Sequence, residues 1–149
     1  MAYPQKASHL AFFSPDAAAP VIVIDVGAAS ADAGELSCNL SCRVKRVMFH
    51  VTDEVIGGTT TAPTVVFTKR PTPNSATSES VVATLTLPDT TAVGSTIYAD
   101  VDVAFDVGDV MEISHTVGVG SPTGQGIAAF VCELSEEVPG NISELSASS

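Results

Sequence analysis

Beyond Pro20 the apolar positions of the chain fall on every second residue, the repeat of a half-buried β-strand. In Arg43–Thr52, Val47, Phe49 and Val51 share one face while Arg46, Met48 and His50 share the other. Thr64–Lys69 reads as a further strand, stopped by Arg70-Pro71-Thr72-Pro73 because proline cannot donate to a ladder. Ser80–Leu87 alternates, with Val81, Ala83, Leu85 and Leu87 inward and Val82, Thr84 and Thr86 outward. Ser95–Phe105 alternates most clearly: Ile97, Ala99, Val101, Val103 and Phe105 against Tyr98, Asp100, Asp102 and Ala104. Met111, Ile113, His115 and Val117 line the next strand, and Ala128, Phe130, Cys132 and Leu134 the last. Val21–Val26 is β-branched and nearly all apolar, which suits a strand covered on both faces or an arm strand pairing with another chain. Between these runs lie turn residues: a loop from Gly27 to Gly34, Gly57-Gly58, Pro88-Asp89, Gly108-Asp109 and a glycine-rich stretch from Gly118 to Gly126. No segment carries apolar residues at the i, i+3, i+4, i+7 spacing of an amphipathic helix. Seven or eight strands without helical crossovers predict an all-β chain, an antiparallel β-sandwich of jelly-roll type.

The ends read differently. Residues 1–20 are punctuated by Pro4, Pro15 and Pro20 and sustain no period, so they are expected to form an extended N-terminal arm. Leu10, Phe12 and Phe13 give that arm an apolar centre suited to docking onto a partner protein. Residues 138–149 form a serine-rich C-terminal tail in which Ile142 and Leu145 are the apolar candidates for the same role, leaving 21–137 as the sandwich domain.

Composition sharpens the picture. The chain has 149 residues, no Trp, six Phe and two Tyr, and only 15% charged residues, well under the usual quarter. A surface so poor in charge is suited to close contact with neighbouring subunits. The net charge is −11, and every Lys and Arg (Lys6, Arg43, Lys45, Arg46, Lys69, Arg70) precedes Pro71. A surface of that sign repels phosphate, which argues against nucleic-acid partners and against anionic membranes. No signal-peptide pattern opens the chain, and synthesis in a reducing cytoplasm is expected.

Candidate chemistry is sparse. Cys38 and Cys42 have the spacing of a zinc-ligand pair, but no second pair accompanies them, and free thiols with no bound metal are the expectation. Asp100, Asp102, Asp106 and Asp109 cluster without the order of a calcium loop and read as an acidic, solvated face. Gly118–Gly124 lacks the lysine of a phosphate loop and leads into a strand, so it reads as a long hairpin loop. Among the histidines, His9 lies in the arm, His50 faces away from Val47 and Phe49, and His115 lies on an apolar face; His50 and His115 are candidates for a subunit contact. No base stands beside a marked nucleophile, so neither a catalytic residue nor a cofactor is assigned.

Several phrases of the chain carry a resemblance: Arg43-Val44-Lys45-Arg46-Val47, Gly57-Gly58-Thr59-Thr60-Thr61-Ala62-Pro63, Lys69-Arg70-Pro71-Thr72, Ala83-Thr84-Leu85-Thr86-Leu87-Pro88-Asp89, Ala99-Asp100-Val101-Asp102, Val107-Gly108-Asp109-Val110 and Glu137-Val138-Pro139-Gly140-Asn141. Together, over roughly residues 43 to 145, they resemble the small β-sandwich head decoration, or capsid cement, proteins of tailed bacteriophages. The resemblance implies a structural protein on the capsid surface of a virion, often a homotrimer. Its partners would be the major capsid protein and copies of itself. A head-fibre, tail-fibre or baseplate module that binds host glycans is the alternative. The shortage of aromatic side chains speaks against a glycan platform.

Overall fold

A computed structural model of the chain describes residues 6–8, 12–15, 22–57, 60–71 and 78–134. They form ten strands: β1 (Lys6–Ser8), β2 (Phe13–Pro15), β3 (Ile22–Asp25), β4 (Ala31–Cys38), β5 (Cys42–Ile56), β6 (Thr64–Arg70), β7 (Ser80–Thr86), β8 (Thr96–Phe105), β9 (Val110–Thr116) and β10 (Thr123–Leu134). All pairings are antiparallel, and the strands divide into two five-stranded sheets. One sheet (sheet A) runs β1-β10-β5-β8, with β3 also paired to β10; the other (sheet B) runs β2-β4-β9-β6-β7. The protein is therefore an all-β, antiparallel β-sandwich. No helix among the described residues is long and apolar enough to cross a membrane.

The inner faces follow the alternation of the sequence. Val44, Val47, Phe49 and Val51 of β5, Val65 and Phe67 of β6, Met111 and Ile113 of β9, and Ala128, Phe130 and Cys132 of β10 are all buried. β8 lies at the edge of sheet A, so its inward residues Ile97, Ala99, Val101 and Val103 pack against the core while remaining only partly covered. Tight turns join the strands where the backbone can enter the left-handed region. Gly108 (φ 95°) closes the turn from β8 to β9, and there Asp109 Oδ2 accepts the Asp106 N–H at 2.9 Å. Gly126 of β10 has a different reason to be glycine. A Cβ there would stand 2.6 Å from the His50 carbonyl oxygen and press into the Phe49 ring.

The N-terminal segment is not a free arm in the residues described. β1 pairs with β10 (Ala7 opposite Cys132), β2 pairs with β4 (Phe13 opposite Cys38), and β3 pairs with β10 (Ile24 opposite Gly126). The chain thus passes from sheet A to sheet B and back along one side of the sandwich. Phe13 is only 2% exposed and meets Phe105 and Phe130 edge-on, with centroids 5.4 and 5.0 Å apart. Phe12 is buried as well, and its carbonyl accepts the Asn39 N–H at 2.7 Å. The expectation that Phe12 and Phe13 insert into a neighbouring protein is therefore corrected. They fill this chain's own core, where ring–ring contacts and burial already satisfy them. Leu10, Ile142, Leu145 and His9 lie outside the described residues, as does the tail 138–149.

Three further expectations change. β3 pairs with β10 of its own chain and has one dry face: Ile22 and Ile24 point inward, while Val23 is half-exposed. β4 occupies part of the region read as a loop between Gly27 and Gly34. In β7 the alternation breaks at a register shift opposite Phe67 and Thr68, which leaves Val82 against the core and Val81 63% exposed.

Candidate functional site

The clearest concentration of charged side chains lies on the outer face of sheet A. β5 contributes Arg43, Lys45 and Arg46, and its neighbour β8 presents Asp100 and Asp102 across the pairing. Arg43 Nε donates to Asp102 Oδ1 at 2.6 Å, Lys45 Nζ lies 3.3 Å from the same oxygen, and Arg46 Nε donates to Asp100 Oδ1 at 2.6 Å. The Arg46 guanidinium also covers the Tyr98 ring at 4.1 Å, an attraction between a cation and the negative face of the ring. Hydrogen bonds with Arg46 and Arg43, respectively, hold the Asp100 and Asp102 carboxyls below the usual carboxylate range. Those aspartates were expected to lie on an acidic, solvated face, and both remain exposed there. The structure pairs both, because the strand that presents them lies beside β5, which carries Arg43, Lys45 and Arg46.

Sheet B carries the opposite balance. Arg70 of β6 contacts Glu35 Oε1 at 2.8 Å, Glu112 Oε2 at 3.1 Å and Glu79 Oε1 at 3.7 Å. One cation thus serves three acids. Burial, and then the charges of Asp32 and Glu79, push the Glu112 carboxyl above its ordinary range despite Arg70. Lys69 Nζ donates to the Ala104 carbonyl at 2.6 Å and lies 3.6 Å from Asp109 Oδ2.

The remaining candidates separate. His115 is buried, with Nε2 3.1 Å from the Ala28 carbonyl. It is thus a core histidine satisfied by backbone, which corrects its assignment to a subunit contact. His50 is exposed on the outer face of sheet A, with Nδ1 3.0 Å from Thr96 Oγ1. Asp106 and Asp109 belong to the β8–β9 turn, away from Asp100 and Asp102.

Cys38, Cys42 and Cys132 are free, buried and clustered at one end of the sandwich. The Cys42 thiol shares hydrogen bonds with both of the others. Its bond with Cys132, together with burial, pushes it up to about 12, and the bond with Cys42 raises Cys38 further still. Among the described residues, no group of three or more His, Cys, Asp or Glu side chains is placed to hold a metal ion. The association of Cys132 with the Cys38–Cys42 pair was missed in the sequence, since it depends on β10 crossing the start of β5.

Also missed was the grouping of cations. Arg43-Val44-Lys45-Arg46 is a visible basic run, yet strict alternation would place Lys45 on the Val47 side, away from Arg46. Comparison with protein-family models and with curated proteins finds no match to this chain.

Proposed function

We propose that this chain is a structural protein of an assembly, a bacteriophage capsid decoration protein that reinforces a shell through protein–protein contacts and turns over no substrate. The observation that carries the reading is where the resembling phrases lie in the sandwich. Ala62-Pro63 leads into β6, Arg70-Pro71 ends it, Leu87-Pro88-Asp89 follows β7, and Val107-Gly108-Asp109 turns β8 into β9. The phrases therefore define the frame of a β-sandwich rather than scattered matches. The order β3-β10-β5-β8 in one sheet and β4-β9-β6-β7 in the other reads as a jelly roll, the winding expected of that class.

Exposed apolar side chains support an assembly role. Leu40 and Val107 stand at one end of the sandwich, where Gly108 N–H donates to the Cys38 carbonyl and brings the two turns together. Ile56, at the end of β5, and Val93 and Val119, in loops, are exposed at the other end. A homotrimer is the proposed state, with His50 on the outer face of sheet A the remaining histidine available to a contact. A glycan-binding role is less well supported: Tyr98, the exposed aromatic side chain of the described surface, lies under Arg46 and offers no open platform.

The test is to mix purified protein with capsids that lack decoration and image the particles by cryo-electron microscopy, with native mass spectrometry of the free protein alongside. Density at symmetric capsomer positions and a three-subunit mass support the reading. Capsids left bare at micromolar protein would overturn it.

A further inference from the structure

We propose that a pocket on the outer face of sheet A receives the carboxylate of an acidic side chain presented by a protein partner. The pocket measures about 170 Å³ and is lined by Lys6 of β1, Lys45 and Arg46 of β5, Asp100 of β8 and Val131 of β10. Half of the chain's six basic residues line it.

The backbone is built to bring them together. Along β5 the register to β8 jumps between Val44, opposite Val103, and Arg46, opposite Asp100. The register to β10 jumps at the same place, with Cys132 opposite Val44 and Val131 opposite Arg46. Lys45 is therefore an extra residue relative to β10, a β-bulge inside the sheet, while on its other side β8 carries the extra residue, with Val101 and Asp102 both falling opposite Lys45. A bulge re-aims side chains and breaks strict alternation. Here Val44 and Val47 are both buried, and the two consecutive residues between them both lie toward solvent. Without the extra residue Lys45 would share the inner face with Val47, where an ammonium would be buried in an apolar core at heavy cost.

The site is also held in place. Arg46 is fixed by its bond to Asp100 and its stack on Tyr98, and the Lys45 side chain is 28% exposed. Around the pocket Lys6, Arg43, Lys45 and Arg46 face Asp100, Asp102 and Glu133, so cations outnumber acids. Around Lys69 and Arg70 the acids prevail. On a chain of net charge −11 this is the place where an incoming carboxylate meets attraction. The surroundings are those of a protein contact rather than of a free ion. Met48, Ala129 and Val131 are half-buried beside the cations and Tyr98 is 54% exposed. Arg, Tyr and Met are the residue types enriched at the centres of interfaces.

The inference deepens the assembly reading by naming the chemistry of the partner, and its test stands apart from particle binding. The full chain, labelled with ¹⁵N, is titrated with hexaglutamate, with hexaglutamine and with inorganic phosphate. Hexaglutamate should shift the amides of Lys6, Lys45, Arg46 and Val131 in a saturable way that 0.5 M salt abolishes, an ionic strength of order where surface charges are screened. Lys45→Gln should weaken it about threefold, and Lys6→Gln with Lys45→Gln about tenfold, as expected for exposed charge pairs. Unchanged melting temperatures would show that these variants remain folded. Equal shifts with hexaglutamine, shifts spread over the whole surface, or phosphate binding as tightly as the peptide would each overturn the proposal. If Lys45→Glu protein still decorates capsids at full occupancy, the pocket proposal fails and the assembly reading stands. If the native chain leaves capsids bare, the assembly reading fails and the peptide titration still decides the pocket.

Discussion

Replacing Phe13 by alanine separates two views of the N-terminal segment. If residues 12–15 were a tether for another protein, Phe13→Ala would leave the isolated chain as stable as before. The structure gives a different expectation. The ring is 2% exposed and packs edge-on against Phe105 and Phe130. Phe130 in turn meets Phe67 of the opposite sheet at 6.5 Å, so Phe13 belongs to a chain of rings that joins the sheets. Truncating a fully buried Phe costs about 3–5 kcal/mol, from lost transfer free energy and from the cavity left behind. Part of that loss resides in the two ring pairs, each of which contributes about 0.5–1.5 kcal/mol beyond its buried area. Because β2 has only three residues, the backbone can relax toward the cavity, which favours the lower half of the range.

A loss of 3 kcal/mol or more is a large share of the roughly 5–15 kcal/mol that a domain possesses. At about 2–4 °C per kcal/mol for a chain of this length, the melting temperature should fall by roughly 6–20 °C. Calorimetry or urea titration of the isolated chain measures it, with Val93→Ala, at an exposed turn position, as the control expected to stay within about 0.5 kcal/mol of the native chain. If Phe13→Ala melts with the native chain, the core assignment of β2 is wrong.

Other expectations follow from buried groups. With the Cys42 thiol raised to about 12, only about one molecule in ten thousand carries its thiolate at pH 8, against about a quarter for a free thiol. All three cysteines are also buried, so they should react with a disulfide reagent only after denaturant is added. Gly126→Ala should destabilise by about 1–3 kcal/mol, read by urea titration, because neither the His50 carbonyl nor the Phe49 ring leaves room for a Cβ. The carboxyls of the two sheets should respond to pH with opposite sign. Asp100 and Asp102 have lowered midpoints, so their contribution is present above the unfolded midpoint and lost as pH falls through the folded one. Glu112 has a raised midpoint, so the fold favours its protonated form, and that contribution is lost as pH rises through the folded midpoint. Glu112→Gln should accordingly melt higher than the native chain at pH 7 and show a smaller difference at pH 4. An equal difference at both would refute the assignment.

The strands that could be read from sequence are those with one wet face and one dry face over many residues. β8 and β9 alternate without interruption, and burial follows their alternation residue by residue. β4 was not legible because Ala31-Asp32-Ala33-Gly34-Glu35 has no apolar alternation; it is a strand because β9 supplies its backbone partners, with a register shift at Asp32 and Gly34. β1 and β2 are three residues each, too short for any period, and exist only through pairing with strands distant in sequence. The same limit explains the candidate site. Asp100, Asp102 and the basic run were visible, but their pairing follows from the β5–β8 register, and the outward turn of Lys45 follows from a bulge of β5 against β10 that residue types do not encode locally.

The distribution of charge over the two sheets bears on what the charges are for. Exposed ion pairs such as Arg43–Asp102 and Arg46–Asp100 typically add no more than about 1 kcal/mol each, and salt screens them. A core with five fully buried phenylalanines does not depend on them. Stability therefore does not explain why four of six cations share one outer face, nor why β5 carries a bulge that turns Lys45 outward. Orientation of the proposed partner would explain it. A net-acidic particle repels acidic neighbours except where its cations gather, so the carboxylate of the proposed partner would select one face and one register there. The outer face of sheet B, where Arg70 is shared among Glu35, Glu79 and Glu112, offers the opposite polarity. On the proposed assembly reading, a partner that meets sheet A would thereby be discouraged from meeting sheet B, and six basic residues would give the chain an inside and an outside.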